Sequence, residues 1–146
     1  MTQNQEQLIQ DQHIKDILTS VKTIALVGAS DKPDRPGNFV MAFLQSHGYR
    51  VIPVNPRLAG KTVHGEPVHS TLEEITTPVD MVDVFLRPTL IEPIAQSAVN
   101  IGAKVFWTQK GVVNEQANEI AAKAGLKVVF DRCPKEEIPR LVPGKD

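Results

Sequence analysis

Four short stretches of this chain carry residue types suited to holding a phosphate-bearing ligand. The first is Gly28-Ala29-Ser30, followed by Lys32 and Arg35. A glycine permits a sharp turn and a close backbone approach, the Ser30 hydroxyl adds a donor, and Lys32 and Arg35 add charge. The second stretch is Asn55-Pro56-Arg57, the third Phe85-Leu86-Arg87 and the fourth Gln109-Lys110-Gly111. None of them sets a nucleophile beside a base, so these residues favour binding over bond-making. His13, His47, His64 and His69 show no metal-ligand spacing and no cysteine partner, and they are expected at the surface. Cys133 is the one cysteine. A reactive thiol is one reading of it, but free cysteines are among the most buried residue types, and the buried reading is preferred. Asp83 alternates with apolar neighbours and has no second titrating group beside it in sequence. It is expected to bond backbone groups at a sheet rather than act as a base. Trp107 is expected in the core or a cleft wall.

The elements that must position these stretches follow from pattern. Residues 24–27 are four consecutive apolar residues ended by Gly28, too short for a helix and suited to a strand buried on both faces. Residues 5–21 set Ile14, Ile17, Leu18 and Val21 at helical spacing, an amphipathic helix leading into that strand. Breakers fill 29–37, after which Asn38 is expected to cap a helix with Phe39, Val40, Phe43 and Leu44 as its apolar stripe. Residues 51–54 read as the second strand, with Pro53 hinting at an incompletely paired side. Residues 55–70 form a loop with a short extended piece at 66–69, then one helical turn at 72–75. Strands follow at 79–85, 103–107 and 126–130, separated by a helix capped by Thr89 and another capped by Asn114. Residues 131–134 and a short tail, 142–146, close the chain. Strands alternating with helices argue for right-handed crossovers, a five-stranded mainly parallel sheet and helices on both faces. This is one doubly wound α/β domain over 1–146. In such sheets ligands sit outside the carboxyl ends of the strands, a rule that gathers all four stretches on one rim.

Composition narrows the partners. The net charge is −1, from 16 Lys+Arg against 17 Asp+Glu, so the basic stripe of a nucleic-acid binder is absent. No apolar run approaches the roughly 20 residues of a membrane span. One cysteine allows no internal disulfide, and residues 1–12 lack the apolar core of a signal peptide, so a cytoplasmic protein is expected.

The dinucleotide fingerprint fails in this chain. Its second and third glycines would fall at Ser30 and Pro33, and the acidic residue wanted after strand two is replaced by Asn55, with Arg57 beyond. An arginine there favours a phosphorylated ribose, which disfavours NAD and leaves NADP or coenzyme A. Gly60-Lys61-Thr62 echoes a Walker A ending, but no glycine stands at 55 and no strand leads in.

Taken in order, Val27-Gly28-Ala29-Ser30, Gly48-Tyr49-Arg50-Val51-Ile52-Pro53-Val54-Asn55-Pro56, Val82-Asp83-Val84-Phe85, Trp107-Thr108-Gln109-Lys110-Gly111-Val112 and Asp131-Arg132-Cys133-Pro134 resemble the small stand-alone CoA-binding proteins. These are similar to the CoA-binding domain of the succinyl-CoA synthetase α subunit. The resemblance spans about residues 15–141. It implies a Rossmann-like domain that holds coenzyme A, or an acyl-CoA, by its ADP part. Gly28, Ala29 and Ser30 match the phosphate loop, and Asn55, Pro56 and Arg57 match the segment facing the adenosine and its 3′-phosphate. Phe85, Arg87, Gln109 and Gly111 match the remaining rim. Two positions depart from the pattern: Leu86 stands where an arginine is usual, and Ile138 where a histidine is common. The expected function is CoA binding with no catalytic group identified. A small NADP-dependent reductase, or a CoA-sensing module acting through a partner protein, is the alternative.

Overall fold

The computed structural model describes residues 2–144. Met1, and Lys145 and Asp146 of the expected tail, lie outside the described residues. Five parallel strands form the sheet: β1 (Thr23–Val27), β2 (Arg50–Val54), β5 (Met81–Val84), β6 (Val105–Thr108) and β7 (Lys127–Val129), in the spatial order β2-β1-β5-β6-β7. A small hairpin, β3 (Thr62–Val63) and β4 (Glu66–Pro67), lies between β2 and β5. The chain moves from β1 outward to β2, then crosses back past β1 to β5. The order therefore reverses between β1 and β5, where doubly wound sheets hold ligands.

Near-continuous apolar strands bury both faces of the sheet. Helices α1 (Gln3–Ser20), α2 (Pro36–Ser46) and α5 (Pro134–Leu141) cover one face, burying Ile14, Leu18, Met41, Leu44 and Ile138 against Leu26 and Trp107. Helices α3 (Glu92–Asn100) and α4 (Glu115–Lys123) cover the other. Their contact stripes are alanines (Ala95, Ala98, Ala117, Ala121), which set them close to Phe106 and Val82. Pro53 lies on the edge strand β2, where a missing N–H breaks no central ladder.

Three expectations are corrected. Helix α2 begins at Pro36 with Arg35 as its N-cap, not at Asn38, because proline's fixed φ suits the first helical position. Thr89 does not cap α3. Residues Pro88–Leu90 form a 3-10 turn, and the helix starts at Glu92. A cap at Thr89 would have put Pro93 fourth in the helix, where an N–H must donate; in the observed first turn none is needed. The third correction is α5 itself, because no element was expected between Pro134 and the tail at 142–146. Pro139 masks the helix in the sequence, and tertiary contacts carry it. Ile138 is buried, and Arg140 donates to both carboxylate oxygens of Asp11 on α1 (2.9 and 3.1 Å). That hydrogen bonding holds the Asp11 carboxyl below its ordinary range.

Candidate ligand-binding site

Strand β1 ends at Val27, and the chain turns at Gly28 (φ +92°). The turn is fixed by donation from the Gly28 and Ala29 N–H groups to Val54 O (3.0 and 3.3 Å) and from Phe85 N–H to Val27 O (2.8 Å). The turn runs directly against the start of α2. A Cβ added at Gly37 would lie 2.3 Å from Gly28 O, and one at Gly28 would lie 2.7 Å from Phe85 O. No side chain caps the N-terminus of α2; Pro36 has no N–H and the Asn38 N–H donates to Arg35 O (2.9 Å), which leaves the Gly37 N–H and the positive end of the helix dipole at the mouth of this turn.

Two side chains hold the loop in place. Asn38, in the first turn of α2 and nearly buried, donates from Nδ2 to Ser30 O (3.0 Å) and accepts at Oδ1 from His64 Nε2 (2.9 Å). Asn55, at the end of β2, donates from Nδ2 to Ala29 O (2.8 Å) and accepts from Arg57 N–H (2.9 Å). Both ends of the Asn55 side chain thus bond protein backbone, which ties the Ala29 loop to the Arg57 backbone and shapes the site. Asn55→Ala is expected to lower unfolding stability by about 1–2 kcal/mol through these two lost bonds, read from urea titration.

The result is an open cleft of about 640 Å³ on the α2 side of the sheet's carboxyl edge. Gly28, Ala29, Ser30, Lys32, Arg35, Asn55, Arg57, Phe85, Arg87 and Gln109 all line it. Four cations (Lys32, Arg35, Arg57, Arg87) face one carboxylate, Asp31, although the chain as a whole is slightly acidic. Clustered charge of one sign in a cleft raises the local concentration of anions. A second lobe of about 870 Å³ opens on the α3 side, sharing Gly28, Asn55, Arg57, Phe85, Leu86 and Arg87 with the first. Pro56 lies in this lobe, with Leu72, Leu90 and Ile94 as apolar wall. Gly111 lines neither lobe. Its N–H donates to Asp131 Oδ1 (2.7 Å), tying the 109–111 turn to the end of β7.

The cleft is compatible with a nucleotide, and sequence comparison decides the family. A sequence model of the CoA binding domain matches residues 22–139. The chain belongs to the CoA-binding domain family. It is similar to YneT, an uncharacterised protein of Bacillus subtilis (strain 168), at 41% identity over 122 residues, 84% of this chain and 89% of that one. Among solved structures it resembles a hypothetical protein from Pyrococcus horikoshii OT3, with 42% identity, TM-score 0.87 and coverage of 90% of this chain and 92% of that one. It is also 27% identical, over 78% of its own length, to the α subunit of the ADP-forming acetate–CoA ligase I of Pyrococcus furiosus, of which it spans 28%.

One feature of this CoA-binding domain was not singled out in the sequence. Gly37 matters because the Gly28 turn crosses it, and its one sequence signal is its place after Pro36 at a helix start. Leu86, at the position where the family favours arginine, lines both lobes as an apolar wall. Trp107 is core: it is fully buried, and its Nε1 donates to Arg132 O (2.8 Å). Cys133 is buried as expected. Asp83 departs from expectation. Fully buried, its two carboxylate oxygens bond no backbone group, because strand pairing already satisfies the backbone around it.

Proposed function

We propose that the chain binds coenzyme A, free or acylated, through its ADP part. The pyrophosphate lies between the Gly28-Ala29-Ser30 turn and the uncapped N-terminus of α2, the adenine enters the apolar lobe beside Leu72 and Ile94, and Arg57 meets the 3′-phosphate. The pantetheine arm then leaves along Phe85 toward Gln109 and Val112. One observation carries this reading: the free N-terminus of α2 faces a glycine turn in a cleft with four cations and one carboxylate. Helix N-termini of this kind bind phosphate with backbone N–H groups alone. Membership of the CoA-binding domain family supports coenzyme A over other nucleotides. The reading assigns the chain no chemical step.

Calorimetric titration of ligand-free protein with CoA, dephospho-CoA, acetyl-CoA, NAD and NADP tests it. CoA is expected to bind with micromolar affinity, about −8 kcal/mol. Binding of NADP alone would instead favour the reductase reading. Arg57→Ala is expected to weaken CoA roughly five- to ten-fold, as for a lost charge-assisted hydrogen bond at an exposed site, and to leave dephospho-CoA within about two-fold. Equal losses for both ligands would remove Arg57 from the 3′-phosphate.

A further inference from the structure

Two buried polar groups on one face of the sheet have no protein partner: both carboxylate oxygens of Asp83 and the Oε1 of Gln109. They are neighbours by strand register. Asp83 on β5 pairs with Trp107 on β6, and Gln109 stands two residues beyond Trp107, its N–H still donating to Val84 O (3.1 Å) in the ladder pattern. Side chains two apart on extended chain share a face, so Gln109 sits one step nearer the cleft than Asp83, with Cβ atoms about 8 Å apart. That separation leaves room for a carboxyl, a carboxamide and at most one water between them.

Asp83 is otherwise enclosed. Its in-register neighbours are Leu26 and Trp107, both fully buried, and the face is covered by α1, α2 and α5. Burial pushes its carboxyl well above the ordinary range, which favours the protonated form and its O–H donor. Gln109 is half-buried. It lines the cleft while its oxygen turns inward. A buried carbonyl oxygen without a donor is a costly arrangement unless a donor is near.

Resting on the CoA reading above, we propose that Asp83 is a positioning residue for ligand binding. Its carboxyl group supplies, directly or through one enclosed water, the donor that Gln109 Oε1 lacks. The Gln109 carboxamide is thereby held with its Nε2 amide facing the cleft, where it donates to a carbonyl oxygen of the pantetheine arm. The ADP part of the ligand, held by backbone N–H groups and arginines, does not depend on this pair.

The test compares CoA with adenosine 3′,5′-bisphosphate, which lacks the arm, by calorimetry on wild type, Asp83→Leu, Asp83→Asn, Gln109→Leu and the Asp83→Leu/Gln109→Leu double variant. Asp83→Leu removes the donor and is expected to weaken CoA about ten-fold while leaving the bisphosphate within about two-fold. Asp83→Asn, whose amide still donates, restores most of the CoA affinity. Gln109→Leu reproduces the selective loss and keeps the proposal testable should Asp83→Leu fold poorly. In the Gln109→Leu background, Asp83→Leu has no further effect. Parallel loss of both ligands, an unaffected Asp83→Leu, or additive losses in the double variant would each overturn the proposal. Failure of wild type to bind CoA at all would instead overturn the function on which it rests.

Discussion

Gly37→Ala is expected to destabilise the protein by about 3 kcal/mol and to weaken CoA binding by more than ten-fold, although only one methyl group is added. The added Cβ would lie 2.3 Å from Gly28 O and 3.3 Å from the Ala29 Cα, both backbone atoms that cannot rotate aside. Either the N-terminus of α2 or the Gly28 turn must then withdraw, and the cleft is built between them. Backbone strain is not the cause, because Gly37 lies in ordinary helical conformation. Gly60 and Gly65 provide the contrast. Both have positive φ with open space around them, so alanine there meets strain without a clash and costs about 1 kcal/mol. Urea unfolding of the three variants, with CoA calorimetry on each, separates the two effects. A Gly37→Ala protein as stable and as tightly binding as wild type would remove the close approach from the account of the site.

The second large effect concerns pH and Asp83. In the unfolded chain its carboxyl titrates near the ordinary aspartate value of about 3.9. In the folded protein, burial raises it well above that. Below both values the two states bind the proton equally. Between them only the folded state keeps it, so folded stability falls with rising pH by about 1.4 kcal/mol per pH unit until the folded carboxyl also ionises. Asp83→Asn abolishes this term. The stability of the Asn variant relative to wild type is therefore expected to climb steadily from about pH 5 upward and then level off. Taking the difference matters, because groups with lowered values act in the opposite direction. Asp11, bonded by Arg140, and Glu74, bonded by Ser70, contribute stability that is lost on acidification, but equally in both proteins. A pH-independent difference between wild type and Asp83→Asn would mean that Asp83 is not held neutral by the fold.

Much of this architecture is legible in local pattern. The apolar run ended by Gly28, the strands at 79–85 and 103–107, and the Asn114 cap, which accepts from Ala117 N–H (3.0 Å), rest on neighbouring residues and need no distant contact. Their ends shift by one or two residues in the structure, as helix and strand ends do. The motifs also carried the rim to the right edge of the sheet, because parallel crossovers place every strand's carboxyl end on the same side.

What one-dimensional reading missed depends on contacts between residues far apart. Helix α5 forms despite Pro139 because Arg140 reaches Asp11, 129 residues away, and Ile138 fills the face against α1 and α2. Asn38, read as a cap, instead clamps the Gly28–Ser30 loop, and Asn55, which lines the cleft, clamps the same loop from a different element. The sequence by itself determined the alternation of strands and helices, the parallel sheet and the residue types at its carboxyl rim. Periodicity and turn chemistry act over a few residues and are written into the chain. Only the tertiary structure decided that Gly37 sits against the Gly28 carbonyl, that four cations share a cleft with one carboxylate, and that the Asp83 carboxyl and the Gln109 Oε1 are buried without a partner. Close approach, charge clustering and burial exist only once distant segments are packed together.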